Sequence, residues 1–364
     1  DAPRTIDSLL RSAATVTGRG QIANLPIVPI GFSGGGNDAF TVASSLPSRV
    51  ITYVANRIAP SPRSDAQPGW TDLPGLLLPG NLDSNQKPSD VYGAGFKGVA
   101  TYYGLNTSIR EKGGLAAMGV MLGQGHSNDA SASPASPGYE FAWYWTARTA
   151  AARLPGTVAS STPGNPIALN PLSKTSGWLA DTDRYGLPGN TTPNGTSPFK
   201  TIAAHANYTG DKETASWLVD QDLAFAFRAA MSNDSNPTGA GRWPGPEGTP
   251  LMFTGLTGLQ SLSQGALANL AINPRDFVTS GTSITRMDFY DGATFLGSDT
   301  LASDGWGITA AMTDSGIRGL SVIATRSDGQ VRTSFRAISV QAVPEPSAFA
   351  VLCLAAGGLL RRKR

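Results

Sequence analysis

A serine in a glycine-rich turn is the residue with the clearest chemical potential in this sequence. Ser33 lies in the pentapeptide Gly31-Phe-Ser-Gly-Gly35, which fits the pattern G-x-S-x-G. A serine held on a sharp turn between a strand and a helix can attack a carbonyl carbon, and the amide of the next residue, Gly34, can bind the resulting oxyanion. Because such a turn is tight, we expect it to need small residues two positions before and two positions after the serine.

The residues on either side of this turn have the patterns of the elements that such a serine requires. The apolar run at 25–32 predicts a buried strand, and residues 35–46 predict the helix after it. Similar patterns alternate through the first 153 residues and predict an α/β fold, a doubly wound and mainly parallel sheet. The other predicted strands are residues 48–55, 73–79 and 115–122, and the other predicted helices are residues 5–17, 90–112 and 139–152.

Two polar side chains follow later strands of this sheet and could complete the chemistry of Ser33. Asp83 follows the strand at 73–79, and His126 follows the strand at 115–122. Parallel strands end at one edge of a sheet, where open α/β sheets bind ligands, so we expect the three side chains to lie together. There His126 would accept the proton of Ser33, and Asp83 would hold the imidazole in the productive tautomer.

Both partners of the serine have alternatives. Asp72 and Asp90 lie near Asp83 and could supply the carboxylate, and His126 could be a structural histidine of its loop. The second of the two histidines, His205, follows no glycine turn and is predicted to lie in a helix or at a helix cap. The positions of Asp83 and His126, each shortly after a strand, favour them as the partners of the serine.

These motifs together resemble the second half of a serine α/β-hydrolase. The elbow at 31–35, the acid turn at 78–83 and the histidine turn at 123–126 occur in the order that the family uses. The resemblance covers about residues 1–153, including the helix at 139–152. It implies cleavage of carboxylic esters through an acyl-enzyme intermediate, without a cofactor or a metal ion. It also implies that the first strands of the domain, with the second oxyanion donor, precede this sequence.

The composition excludes some classes of protein. The 364 residues carry a net charge of +2 and only 15% are charged, so no nucleic-acid surface is indicated. The single cysteine, Cys353, excludes a disulfide within the chain and a cysteine-rich metal site.

The rest of the chain divides by composition. Residues 153–231 would complete a first domain at 1–231 as a cap or as an extension packed on the sheet. Within it, residues 213–230 predict a helix, and residues 168–172 could pair with residues 177–183 as a hairpin. A Pro/Gly/Asn-rich linker at 232–248 follows.

Residues 249–342 have the pattern of an antiparallel β-sandwich. Short strand patterns recur there with the turn dipeptides Asp291-Gly292 and Asp328-Gly329 between them. Residues 287–300 and 320–329 resemble the immunoglobulin-like domains of exported bacterial proteins. This resemblance implies a spacer or an adhesion module.

The C-terminal segment 343–364 resembles a PEP-CTERM sorting signal of Gram-negative envelopes. Val343-Pro-Glu-Pro346 precedes an apolar segment at 347–360, predicted as a hydrophobic helix, and the basic run at 361–364. The resemblance implies an export signal, recognition by an exosortase and transient anchoring in the inner membrane. A simple C-terminal anchor is the alternative, and both place the protein in the cell envelope or on the extracellular surface.

The sequence therefore predicts an exported serine ester hydrolase whose substrate is a small-molecule or polymer ester. One alternative is cleavage of a lactone, thioester or amide by the same triad of Ser33, Asp83 and His126. Another is a surface binding or adhesion protein with an incomplete or inactive hydrolase domain.

Overall fold

A computed structural model describes most of the chain. The described residues are 2–58, 60, 66–80, 98–121, 137–156, 167–182, 200–232, 251–274, 277–278 and 280–342. Several of the predicted features lie outside these ranges, namely Asp83, Asp90, His126, most of the linker at 232–248 and the whole tail at 343–364. Among the described residues, no helix has the length and the apolar character needed to cross a membrane.

Four parallel strands form the first sheet, and they are neighbours in chain order, β1-β2-β3-β4. β2, β3 and β4 are buried along their whole length, while β1 is partly exposed at the sheet edge. The predicted parallel sheet is confirmed. The strands are β1 (Ile30–Phe32), β2 (Tyr53–Asn56), β3 (Gly75–Leu78) and β4 (Ala116–Met118).

Helices cover both faces of this sheet, because successive side chains of a strand point to opposite sides. Tyr53 and Ala55 pack in one core with α2 and α3, whereas Val54 packs in another core with α4 and α5. The described strands thus form a parallel sheet with helices on both faces, whereas their sequential order shows no reversal of the kind that defines a doubly wound sheet. The helices of the first part of the chain are α1 (Ala2–Thr17), α2 (Gly34–Ser45), α3 (Gly98–Glu111), α4 (Pro137–Arg153) and α5 (Gln221–Met231).

A small antiparallel sheet lies beside β4, and it corrects two predictions. The predicted hairpin of 168–172 with 177–183 is wrong, since β5 pairs with β6 and β7 instead. The helix predicted from residue 213 begins only at Gln221, because the side chain of Asp220 caps it by accepting the Leu223 N–H at 2.8 Å. The strands are β5 (Trp178–Ala180), β6 (Ile202–Ala204) and β7 (Ser216–Leu218).

Residues 251–342 form a β-sandwich, as predicted. One layer is a five-stranded sheet in the order β13-β12-β15-β16-β9, and the pairs β10–β14 and β11–β8 face it across an apolar core. β9 joins β16 in parallel, while the other pairs are antiparallel. Asp291-Gly292 and Asp328-Gly329 lie at the β12–β13 and β15–β16 turns.

The strands of the sandwich are β8 (Met252–Phe253), β9 (Ser261–Ser263), β10 (Leu267–Asn269), β11 (Ile272–Asn273), β12 (Ile284–Asp291), β13 (Thr294–Asp299), β14 (Thr309–Ala311), β15 (Gly316–Arg326) and β16 (Val331–Gln341). The apolar patterns at 250–254, 266–271, 283–290, 294–297, 306–310, 317–324 and 331–340 predict seven of these strands. No such pattern predicts β9 or β11, because both are short and β9 is largely exposed.

Candidate active site

Ser33 lies between β1 and α2 in a backbone conformation that residues other than glycine rarely adopt. Its φ is 53° and its ψ is −127°. A non-glycine residue at positive φ costs about 1–3 kcal/mol and persists only where its surroundings enforce it. The N–H of Ser33 donates to the carbonyl of Asn56 on β2 at 2.8 Å, and the N–H of Gly36 donates to the carbonyl of Ser33 at 2.8 Å. These bonds fix the serine at the carboxyl edge of the sheet.

The tight turn requires Gly31 and Gly36. A Cβ built on Gly31 would overlap the carbonyl of Gly35, and a Cβ on Gly36 would lie 2.6 Å from Cγ2 of Ile58. No atom of the described residues lies within 4 Å of a Cβ built on Gly35. Among the described residues, the close approach after Ser33 comes at Gly36, so the expected need for a small residue at Gly35 stays a prediction.

The side chain of Ser33 does not cap helix α2, although the residue occupies the N-cap position. A serine there ordinarily accepts a hydrogen bond from an amide of the first turn, and Ser33 departs from that pattern. Gly34 is the exposed first residue of α2. The first amides of a helix have no carbonyl partner within it, and the helix dipole favours negative charge at that end. The Gly34 amide therefore lies where an oxyanion would be stabilised.

The structure describes the strand ends that lead to the predicted acid and histidine, but not these two residues. Gly80 and Met121 form a parallel bridge just beyond β3 and β4. They lie at the same carboxyl edge as Ser33, because all four strands run in parallel. Asp83 and His126 follow three and five residues later and lie outside the described residues.

The alternative acid Asp72 lies at the opposite edge of the sheet from Ser33. It ends a short 3-10 helix, Trp70–Asp72, that precedes β3, and it is exposed there. A carboxylate at the amino end of β3 is separated from the carboxyl edge by the length of the strand, so this position does not favour Asp72 as the partner of a histidine near Ser33. Asp90, the other alternative, lies outside the described residues.

His205 is not in a helix, so that prediction is wrong. It lies in the turn that follows β6, and β6 belongs to the small antiparallel sheet and not to the parallel sheet β1–β4. Its backbone N–H donates to the carbonyl of Gly177 at 2.9 Å. Partial burial, followed by the positive charges of Lys212, Arg110 and Lys174, lowers the pKa of His205. These groups disfavour the protonated imidazole, and no carboxylate is among the groups that shift its pKa.

Arg57 is a buried charged residue at the carboxyl edge that the sequence reasoning missed. It follows β2 with a φ of 58° and is 0% exposed. Its N–H donates to the carbonyl of Leu78 at 3.1 Å, Nε lies 3.3 Å from Asn56 Oδ1, and Nη2 lies 4.0 Å from Met121 Sδ. Through its backbone and its guanidinium together, Arg57 therefore contacts the ends of β2, β3 and the chain just beyond β4. The available signal was a polar pair, Asn56-Arg57, directly after an apolar run.

Comparisons with known proteins do not assign a family. No family model and no curated protein matches the chain. Among solved structures, the fibronectin(III)-like modules of Clostridium thermocellum CbhA are 23% identical, covering 25% of this chain and 93% of theirs, with a TM-score of 0.22. A superoxide reductase (neelaredoxin) variant from Ignicoccus hospitalis is 12% identical, covering 22% of this chain and 74% of its own, with a TM-score of 0.20.

CopC from Methylosinus trichosporium OB3b is also similar, at 12% identity over 24% of this chain and 86% of its own, with a TM-score of 0.17. TM-scores this low carry no argument about fold or activity. The description of residues 251–342 as a β-sandwich therefore rests on their own strand order and core.

Proposed function

We propose that the protein is a serine hydrolase that cleaves carboxylic esters through an acyl-enzyme intermediate on Ser33. The observation that supports this most is the backbone of Ser33, at φ 53° and ψ −127° between a parallel strand and a helix. Strained residues cluster at functional sites, where the strain is retained because the chemistry uses it. The hydroxyl of Ser33 also does not cap α2, so helix capping does not account for the serine.

In the proposed reaction, Ser33 Oγ attacks the ester carbonyl while His126 accepts its proton. The amide of Gly34 donates to the oxyanion of the tetrahedral intermediate. The bond to the alkoxy group then breaks, and His126 gives the proton to the leaving alcohol. A water activated by His126 hydrolyses the acyl-enzyme and releases the acid, while Asp83 keeps the imidazole oriented.

Chain length supports Asp83 and His126 as partners of the serine. Three residues beyond Gly80 span at most about 11 Å, and five residues beyond Met121 span at most about 18 Å. Both starting points lie at the carboxyl edge that holds Ser33. The chain segments that connect Asp83 to Gly80 and His126 to Met121 are therefore short enough to keep both residues near this edge.

Steady-state hydrolysis of p-nitrophenyl esters tests the assignment of the triad. Ser33→Ala and His126→Ala should each abolish hydrolysis, and Asp83→Asn should lower kcat by roughly 10,000-fold because it favours the wrong tautomer. Asp90→Asn is the matched control and should be nearly silent. If Asp90→Asn is crippling and Asp83→Asn is silent, the acid is Asp90.

The same nucleophile could cleave a lactone, a thioester or an amide, and these substrates belong in the same assay series. If the folded protein hydrolyses none of these substrates, that result would favour the alternative of a binding or adhesion protein with an inactive hydrolase domain. Full activity in Ser33→Ala would overturn the proposal.

We also infer export to the cell envelope or extracellular surface of a Gram-negative bacterium, with processing of the tail by an exosortase. The support is the sequence of residues 343–364, with Pro-Glu-Pro before an apolar segment and a basic end. Mass spectrometry of the mature protein from its native host should show loss of the segment after this Pro-Glu-Pro. An intact Arg364 would indicate a simple anchor.

A further inference from the structure

The five-stranded sheet of the sandwich packs on helices α4 and α5, which also cover the parallel sheet. Phe335 and Ala337 of β16 are 2% and 0% exposed and share one core with Phe141 and Tyr144 of α4. The ring centroid of Phe335 lies 5.9 Å from that of Phe141 and 5.9 Å from that of Tyr144. The two helices therefore form a layer between two sheets, and the sandwich completes the core of the α/β unit.

Three glycines of the sandwich allow this close approach, because a side chain at any of them would collide with α4 or α5. A Cβ on Gly319 would lie 2.7 Å from Tyr144 Cε1, and a Cβ on Gly292 would lie 2.6 Å from Asp222 Cγ. A Cβ on Gly258 would lie 2.5 Å from Oε1 of Glu140. The side chains of Tyr144, Asp222 and Glu140 therefore lie directly against the backbone of the sandwich.

A buried carboxylate fixes the first turn of α4 to the sandwich. Glu140 is 0% exposed. Its Oε1 lies 2.9 Å from Nη1 of Arg336, and its Oε2 accepts the N–H of Ala337 at 2.9 Å. A buried carboxylate is tolerated when it is paired and hydrogen-bonded, and both of these partners belong to β16. Removal of the sandwich would leave Glu140 without them.

A second polar connection lies between α5 and the β12–β13 turn. Asp222 Oδ1 accepts the N–H of Ala293 at 3.0 Å, and Asp222 also pairs with Arg148 of α4 at 3.0 Å. The same guanidinium lies 2.6 Å from Asp220, the cap of α5. One side-chain network therefore joins both helices to the sandwich.

The end of α4 that the sandwich holds points towards the carboxyl edge of the parallel sheet. The other end is anchored at the amino edge, where Nη1 of Arg153 donates to the carbonyls of Val50 and Ile51 at 3.0 and 2.9 Å. Glu140 lies about 20 Å from Arg153 along the helix axis, at 1.5 Å per residue. In sequence, the turn with His126 comes shortly before the start of this helix.

We propose that the sandwich is a permanent clamp on α4 and α5. It stabilises the α/β unit and fixes the first turn of α4, the helix that follows His126 in sequence, with Arg336 as a positioning residue. The sequence alone favoured a spacer or an adhesion module. The effect on catalysis rests on the proposed function, whereas the docking of the sandwich does not.

Cutting the full-length chain between the two units tests the docking. A recognition site for a specific protease is inserted between residues 233 and 250, and the cut protein is run on a size-exclusion column. The two fragments should co-elute at the volume of the uncut protein and separate in denaturant. Fragments that separate in native buffer would overturn the clamp.

Arginine variants of the same protein test the role of Arg336. Because breaking a buried ion pair is strongly destabilising, Arg336→Met should weaken the association of the cut fragments by about 100-fold or more. The matched control is Arg286→Met, since Arg286 pairs with Asp288 within the sandwich at 2.6 Å and is 53% exposed. It should leave the association unchanged. Equal effects of the two substitutions would contradict the positioning role.

The kinetic arm uses uncut variants at a temperature where near-UV circular dichroism shows each to be folded. Arg336→Met should lower kcat for p-nitrophenyl acetate about 100-fold, as expected for displaced catalytic groups, and should leave KM nearly unchanged. Arg336→Lys should retain part of the kcat that Arg336→Met loses. An unchanged kcat in a folded Arg336→Met protein would overturn the positioning role. A wild-type protein without any hydrolysis would instead overturn the proposed function, while co-elution of the cut fragments would still support the clamp.

Discussion

Replacement of Gly31 by alanine tests the geometry of the serine turn, with Gly35→Ala as its matched control. At Gly31 the added Cβ would overlap the carbonyl of Gly35, which is backbone and cannot rotate away. The turn would have to open, and inserting one extra carbon into a packed site costs about 1–3 kcal/mol. At Gly35 the added Cβ meets no atom of the described residues within 4 Å, and alanine in a helix is favoured over glycine by about 0.5–1 kcal/mol.

The two variants should therefore differ in free energy of unfolding by about 1.5–4 kcal/mol, with Gly31→Ala the less stable. Urea unfolding of each variant at neutral pH measures this difference. Because a 1 Å displacement of reacting groups costs about 100-fold in rate, Gly31→Ala should also lose ester hydrolysis by at least that factor. Equal stability of the two variants, or a neutral Gly31→Ala, would refute the close contact on which the described turn depends.

Three further substitutions test other parts of the structure. Ser33→Gly should be more stable than Ser33→Ala by about 1–2 kcal/mol in urea unfolding, because glycine adopts the φ of 53° without strain. Burial raises the pKa of Glu140 to about 7 from 4.5. The folded protein therefore binds the carboxyl proton of Glu140 more tightly than the unfolded chain does. Burial opposes the ionisation of Glu140 more strongly than Arg336 and the Ala337 N–H favour it, so stability should fall as pH rises from about 4.5 to about 7, and Glu140→Gln should reduce this slope. Gly104→Ala, at an exposed position within α3 where no described atom lies near the added Cβ, should raise the melting temperature through a gain of about 0.5–1 kcal/mol.

The parallel sheet and its helices could be predicted from the sequence because each element is locally encoded. The strands are short apolar runs between Gly or Pro turns, and the Ser33 turn combines a glycine cluster with such a run. The start of α5 was also encoded, by Asp220 as a helix cap. The sequence nevertheless predicts an earlier start of the helix, because the apolar residues Trp217 and Leu218 continue its apolar pattern. In the structure these two residues belong to β7, where they pair with β5.

Features that depend on contacts between distant residues could not be predicted. The need for Gly36 follows from the approach of Ile58, and the burial of Arg57 follows from the meeting of three strands. The docking of the sandwich depends on a pair 196 residues apart, Glu140 and Arg336. Neither residue has a local pattern that distinguishes it from an ordinary exposed charge.

The assignment of Ser33 as a nucleophile is tested most directly by covalent labelling with a fluorophosphonate, which reacts with activated serines. The full-length protein is labelled, digested and mapped by mass spectrometry, in parallel with Ser33→Ala and His126→Ala. We expect a single adduct on the peptide that contains Ser33, no adduct in Ser33→Ala, and labelling slowed by about 1,000-fold or more in His126→Ala. An unlabelled wild-type protein, or an adduct on another serine that persists in Ser33→Ala, would contradict the account.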